Sequence, residues 1–177
     1  MLDKVHILLI AALFLPNPSL AQTYCDSRGC SFPDHLGDLQ VMMNFVTRAR
    51  IPIRQINCRP GLLGVFTAYP QQTGTMTICT AALQRGVNGV RETFQHEMVH
   101  AAQFCKARNN DHKGFRTISS DRDSILRHSY SVGAFRHAGG MHGHLAEHEA
   151  YTLENARTRD VLYYFNAFCL ERKKKLG

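Results

Sequence analysis

The spacing of apolar residues changes character along the chain, and each change predicts an element. Leu36, Leu39, Met42, Met43 and Val46 recur at intervals of three and four, the signature of an amphipathic helix. Asp34 stands where a helix cap belongs, and Pro52 closes the segment. Three short runs rich in Val, Ile, Thr and aromatic residues follow: Ile51 to Cys58, Gly64 to Tyr69 and Thr75 to Thr80. Turn residues at Arg59-Pro60-Gly61 and from Pro70 to Gly74 separate them, so they read as three strands, the last two a hairpin. Asn88-Gly89 then opens a second helix that runs to about Lys106. Val90, Phe94, Met98, Ala101 and Cys105 form one narrow stripe on its wheel, which predicts its core side; His96 and His100 share another face. A polar segment, Ala107 to Gly143, carries one short predicted helix from Asp121 to His128. A single long helix from about Gly143 to Lys173 ends the pattern, with Ala150, Leu153, Val161, Tyr164, Phe165 and Phe168 on its buried side. The order of elements predicts an α+β fold.

Composition narrows the setting. The 177 residues are 44% hydrophobic, enough for one packed domain and too apolar for a disordered chain. No run reaches the roughly 20 apolar residues that a spanning helix needs. Val5 to Leu15 is apolar, follows Lys4 and precedes Pro16 and Pro18; Ser19-Leu20-Ala21 then supplies small residues for cleavage before Gln22. This layout predicts a secretory signal peptide over 1–21, one mature domain over 22–177, and a secreted or periplasmic location. Cys25, Cys30, Cys58, Cys79, Cys105 and Cys169 all lie in the mature part, so up to three disulfides are expected, with 15 possible pairings. The 21 Lys+Arg against 14 Asp+Glu give a net charge of +7. That basic balance comes with no nucleic-acid motif, and no nucleic-acid partner is expected. The basic tail Arg172 to Lys175 reads as a solvated helix end, where cations suit the helix dipole.

The chemistry concentrates at Gln95-His96-Glu97-Met98-Val99-His100. H-E-x-x-H on a helix sets two imidazoles one turn apart, so that both reach one zinc ion, and Glu97 lies close enough to take a proton from a zinc-activated water. A catalytic zinc needs a third protein ligand and an open fourth position. The final helix begins His142-Gly143-His144-Leu145-Ala146-Glu147-His148-Glu149-Ala150-Tyr151, and offers Glu147, Glu149, His142, His144 and His148. Glu147 and Glu149 lie about 200° apart on a helix, so only one of the two can face the metal.

The stretch from Thr77-Ile78-Cys79 through Val90, Thr93 and His96-Glu97-Met98-Val99-His100-Ala101 to Cys105 resembles the mitochondrial metalloproteases that process an ATP-synthase subunit. More broadly, a helix bearing HExxH followed by ExxA, here Glu147 to Ala150, is similar to the gluzincin metallopeptidases. Gln103 departs from those proteases, which carry Asp there. The resemblance implies a small zincin-like domain in which His96, His100 and Glu147 bind one Zn2+, with Glu149 as the alternative third ligand, and Glu97 is the general base. It also implies that the strand ending at Cys79 is an edge strand that pairs with extended substrates. The expected activity is that of a secreted zinc metalloendopeptidase acting on protein or peptide. A non-catalytic metal-binding or basic binding protein that kept the fold is the alternative. Tyr130, His128, His144 and Tyr151 stand open as the oxyanion-stabilising side chain.

Overall fold

The structure, a computed structural model, describes residues 24–26, 29–31, 35–68, 74–109, 115–118 and 140–171, with the backbone alone at 24–26, 29–31 and 140–144. The expected signal peptide, the Asp34 cap, the Asp121 to His128 helix and the basic tail lie outside the described residues. Two strands the residue pattern did not announce, β1 (Tyr24–Asp26) and β2 (Gly29–Ser31), pair antiparallel and set Cys25 opposite Cys30. Helix α1 (His35–Arg48) buries Leu39, Met42 and Val46, three of the predicted apolar positions. It ends as Arg50 turns left-handed (φ 58°) and the Ile51 N–H reaches back to the Val46 carbonyl at 3.2 Å, just before Pro52.

Strands β3 (Ile53–Ile56), β4 (Gly64–Thr67) and β5 (Thr75–Cys79) form one sheet in the order β3-β5-β4. β4 and β5 pair antiparallel, as the hairpin pattern predicts, and β3 joins β5 in parallel. The strand ending at Cys79 is therefore central, which corrects the expectation of an edge strand. Its two sides are both engaged: Met76 N–H donates to the Pro52 carbonyl (2.9 Å) and Cys79 N–H to that of Leu63 (2.8 Å). A Cys58–Cys79 disulfide fastens the end of β3 to it. Among the described residues the edge lying against the site helix is β4.

After a short turn of helix, α2 (Thr80–Leu83), Gly86 takes a left-handed φ of 72° and starts α3 (Gly86–Asn109), two residues before Asn88. α3 is the centre of the molecule. Phe94, Met98 and Ala101 of the predicted stripe are buried, with Val90 and Cys105 packed at its margin. Gln95, Glu97, His100 and Gln103 are buried as well, because β4 packs on α3 and α4 (Gly140–Glu154) packs along it. Ala146 and Ala150 are both buried on α4, and their small side chains allow the close approach.

The expected single C-terminal helix is broken. α4 stops at Glu154, α5 (Thr158–Phe165) starts after three intervening residues, and Asn166–Leu170 winds into a π-helical turn. The cause is Gln95 of α3. Its wholly buried amide donates to the carbonyls of Leu153 (2.7 Å) and Ala156 (2.9 Å), and its oxygen accepts from Thr158 Oγ1 (3.1 Å). Carbonyls that a helix end leaves without partners thus find donors from another helix. At the far end, Asn109 Nδ2 donates to the Phe168 carbonyl (2.8 Å), and a Cys105–Cys169 disulfide closes a span of 64 residues. On the loop-entropy argument, a closure of that length stabilises by about 4 kcal/mol.

Candidate metal centre

His96 and His100 project from the same side of α3, and their Nε2 atoms stand 3.1 Å apart. Glu147 reaches over from α4, with Oε2 3.5 Å from His96 Nε2 and Oε1 3.4 Å from His100 Nε2. One ligand atom from each of the three residues falls within 4.8 Å of the others, a group that could hold a metal ion. Two ligands of a tetrahedral zinc, each about 2.0–2.1 Å from the metal, are themselves about 3.3 Å apart. The donor set fits that size.

The other nitrogen of each ring is engaged. His96 Nδ1 donates to Glu154 Oε2 at 2.9 Å, and His100 Nδ1 to Gln103 Oε1 at 2.8 Å. The orientation of the Gln103 amide follows from its partners: Nε2 donates to the Ala146 carbonyl and to Glu149 Oε2, both at 2.9 Å. That leaves Oε1 to accept, so His100 must carry its proton on Nδ1. Both Nε2 lone pairs are then turned toward Glu147, the arrangement by which outlying acceptors orient metal-binding histidines.

Two lone pairs and a carboxylate facing one another demand positive charge between them. Burial works against a protonated His96, but the Glu147 and Glu154 carboxylates, with Glu97 behind them, outweigh it and push its pKa up to about 10. Burial alone would raise the Glu147 carboxyl; the two imidazoles instead hold it well below the usual carboxylate range. Glu97 is different. It is 4% exposed, and burial pushes its carboxyl up despite the opposing pull of His100 and His96. Its Oε2 is buried without a hydrogen-bond partner.

Glu149, the alternative third ligand, lies on the other flank of α4. It is 1% exposed, and its Oε2 accepts from Gln103 and from the Ile118 N–H (2.7 Å). It thus braces the residue that braces His100. Among the other candidates, His148 is not part of the three-residue group, and the side chains of His142 and His144 lie outside the described residues. Tyr151 stands beside the site, its ring centroid 4.7 Å from that of His96. Burial and the nearby carboxylates raise its phenol pKa, which keeps it a proton donor. Tyr130 and His128 lie outside the described residues. Gln95, Gln103 and Glu154 escaped the sequence reading as site residues. The one available signal was Gln103 standing in place of an Asp.

A family model described as a domain of unknown function, DUF8637, matches residues 42–170. The chain belongs to the DUF8637 family. The matched span of the family takes in α3, α4 and every residue of the candidate centre. No curated protein and no solved structure matches the chain.

Proposed function

We propose that this DUF8637 protein is an exported zinc metalloendopeptidase, with His96, His100 and Glu147 as ligands and Glu97 as general base. The observation that carries the reading is the convergence of both Nε2 atoms and the Glu147 carboxylate, with each Nδ1 proton already committed to an acceptor. Two His from an HExxH helix with one Glu from a second helix make a zinc peptidase donor set. A bound zinc supplies Lewis-acid polarisation and acidifies water at neutral pH. Glu97 receives the proton on its unpartnered Oε2 and passes it to the departing amine, a role suited to a carboxyl whose pKa burial has raised. Tyr151 donates a hydrogen bond to the developing oxyanion. An extended peptide adds to the edge of β4.

The test is metal analysis of the purified mature protein together with a peptide-library digest, with and without chelator. The reading expects about one zinc per chain and cleavage that chelation abolishes. Iron in place of zinc would overturn the choice of metal, because two His and one carboxylate also suit non-haem iron. Zinc without cleavage of any peptide would favour the metal-binding alternative. In the active protein, Glu97→Gln should keep the metal and lose at least ~10²-fold in turnover. Tyr151→Phe should also keep the metal, with turnover down by about 10²-fold.

A further inference from the structure

His100, Gln103 and Lys106 stand three residues apart on α3, so they form a row along one side of the helix. Residues 115–118 lie along that row in the same order. The Phe115 ring meets that of His100 edge-to-face, centroids 5.5 Å apart, and packs against Phe104 (6.4 Å) and Phe66 of β4 (6.3 Å). The Arg116 N–H donates to the Gln103 carbonyl (3.3 Å). Lys106 Nζ donates to the carbonyls of Thr117 (2.6 Å) and Ile118 (3.3 Å). The Ile118 N–H donates to Glu149 Oε2 of α4 (2.7 Å), and its side chain is buried in the core. The segment is neither helix nor strand, yet all four residues are anchored. Its hydrogen bonds all run to α3 and α4, the two helices that bring the donor set together.

These anchors act on His100 from three sides. The Ile118 N–H helps hold the Glu149 carboxylate where it accepts from the Gln103 amide, which keeps the Gln103 oxygen turned to His100 Nδ1. The Arg116 N–H grips the backbone of the same glutamine. Phe115 stands against the imidazole itself, where it keeps the ring from swinging and water from competing for a bond that is stronger when dry. Lys106 is the far clamp. A cation in the last turns of a helix ordinarily answers the helix dipole, which accounts for its charge but not for its two acceptors on 117 and 118.

We propose that residues 115–118 are a strap, clamped by Lys106, that positions His100 and is coupled to metal binding in both directions. The docked strap holds the imidazole with Nε2 ready for the metal, and a metal on Nε2 holds the strap docked. That reciprocity is a thermodynamic necessity once either half is true. The coupling rests on the reading of His96, His100 and Glu147 as metal ligands; the positioning of the His100 ring does not.

The experiment follows single protons by NMR in the full mature protein, metal-free and with one equivalent of zinc. In metal-free wild type the His100 Nδ1–H should exchange slowly with water. Lys106→Met removes the clamp and touches neither a ligand nor Glu97. It should speed exchange of the Ile118 amide and of the His100 Nδ1–H by at least ~10-fold each. The His96 Nδ1–H, held by Glu154 away from the strap, should stay within about twofold. Lys106→Arg, which keeps donors for both carbonyls, should restore most of the slow exchange. Phe115→Leu keeps the bulk and loses the ring contact, and should free the His100 proton by a second route. A faster Ile118 amide beside an unchanged His100 proton would overturn the proposal, since the strap would then serve the fold alone. Zinc should slow the Ile118 amide of wild type by at least ~5-fold, the lower end of coupling between two sites. Phe115→Ala combined with Lys106→Met should raise the zinc Kd by at least ~5-fold, the same coupling read from the other side. Identical Ile118 exchange with and without zinc would overturn the coupling. If no zinc binds, the metal reading fails and takes the coupling with it, while the His100 proton of the metal-free protein still decides whether the strap positions that ring.

Discussion

The two imidazoles of the candidate centre sit one turn apart on one helix, yet they are held by different means. His100 leans on a neutral amide, Gln103, which is wholly buried and itself gripped by the Ala146 carbonyl and Glu149. Glu149 in turn takes the Ile118 N–H, so the chain of contacts ends in backbone. His96 leans directly on a carboxylate, Glu154, which is partly exposed and is the last residue of α4. One support is part of the core; the other stands at a helix end that stays in place because Gln95 ties down the carbonyls around it. A contact woven into the core cannot be removed without cost to the fold, whereas a contact at its margin can. Metal affinity and stability should therefore separate at the His96 end and travel together at the His100 end.

The largest effect expected on metal affinity comes from the carboxylate between the two ends. Glu147→Ala should weaken zinc binding by more than the ~10²-fold upper range for outlying groups, with little change in stability. Glu149→Ala should reverse that profile. It leaves the Gln103 amide and the Ile118 N–H without their acceptor, at about 2–3 kcal/mol of stability, and lowers affinity by about 10-fold at most. Competitive zinc titration beside thermal unfolding separates the two, and the opposite order would move the ligand to Glu149.

Next comes Gln103→Leu, which strips His100 of its acceptor and Glu149 of a donor together. Affinity should fall ~10- to 100-fold and stability by about 3 kcal/mol, read in the same two assays. Glu154→Ala should lower affinity about 10-fold and leave unfolding within about 1 kcal/mol of wild type. If Glu154→Ala proved as destabilising as Gln103→Leu, the contrast between a core support and a marginal one would fail. The smallest change is Glu154→Gln. It keeps an oxygen for His96 Nδ1 and removes only the charge, so a loss of less than about fivefold is expected, well inside the range for outlying groups. A loss matching Glu154→Ala would show that charge, and not orientation, is what His96 needs from it.

What could be read in advance follows the range of the contacts involved. The His96–Glu97–His100 spacing is local to one helix, so periodicity alone placed both rings on one face. Glu147 lies nearly fifty residues away, and only its ExxA relation to Ala150 singled it out. Glu154 was invisible: two turns beyond Glu147 on the same helix, it looked like one more surface carboxylate. The break after α4 carried no warning either, since Asn155-Ala156-Arg157 holds neither Pro nor Gly. A side chain of another helix makes that break, and no local pattern encodes it. Strand order failed for the same reason. Alternation locates β3, β4 and β5 but is silent on which of them lies between the others. The polar residues of α3 misled in a further way, because a wheel assigns one core face to a helix that is covered on nearly every side.

The Cys105–Cys169 link has a consequence for damage. Every peptide bond between those two residues, α4 and Glu147 included, lies inside the closed span, while His96 and His100 lie before it. A single cut anywhere within the span produces two pieces that remain one covalent molecule, with Glu147 still tethered to the helix that bears His96 and His100. A nicked chain should run as one band on a non-reducing gel and as two after reduction, and until reduction it keeps the parts of its centre together.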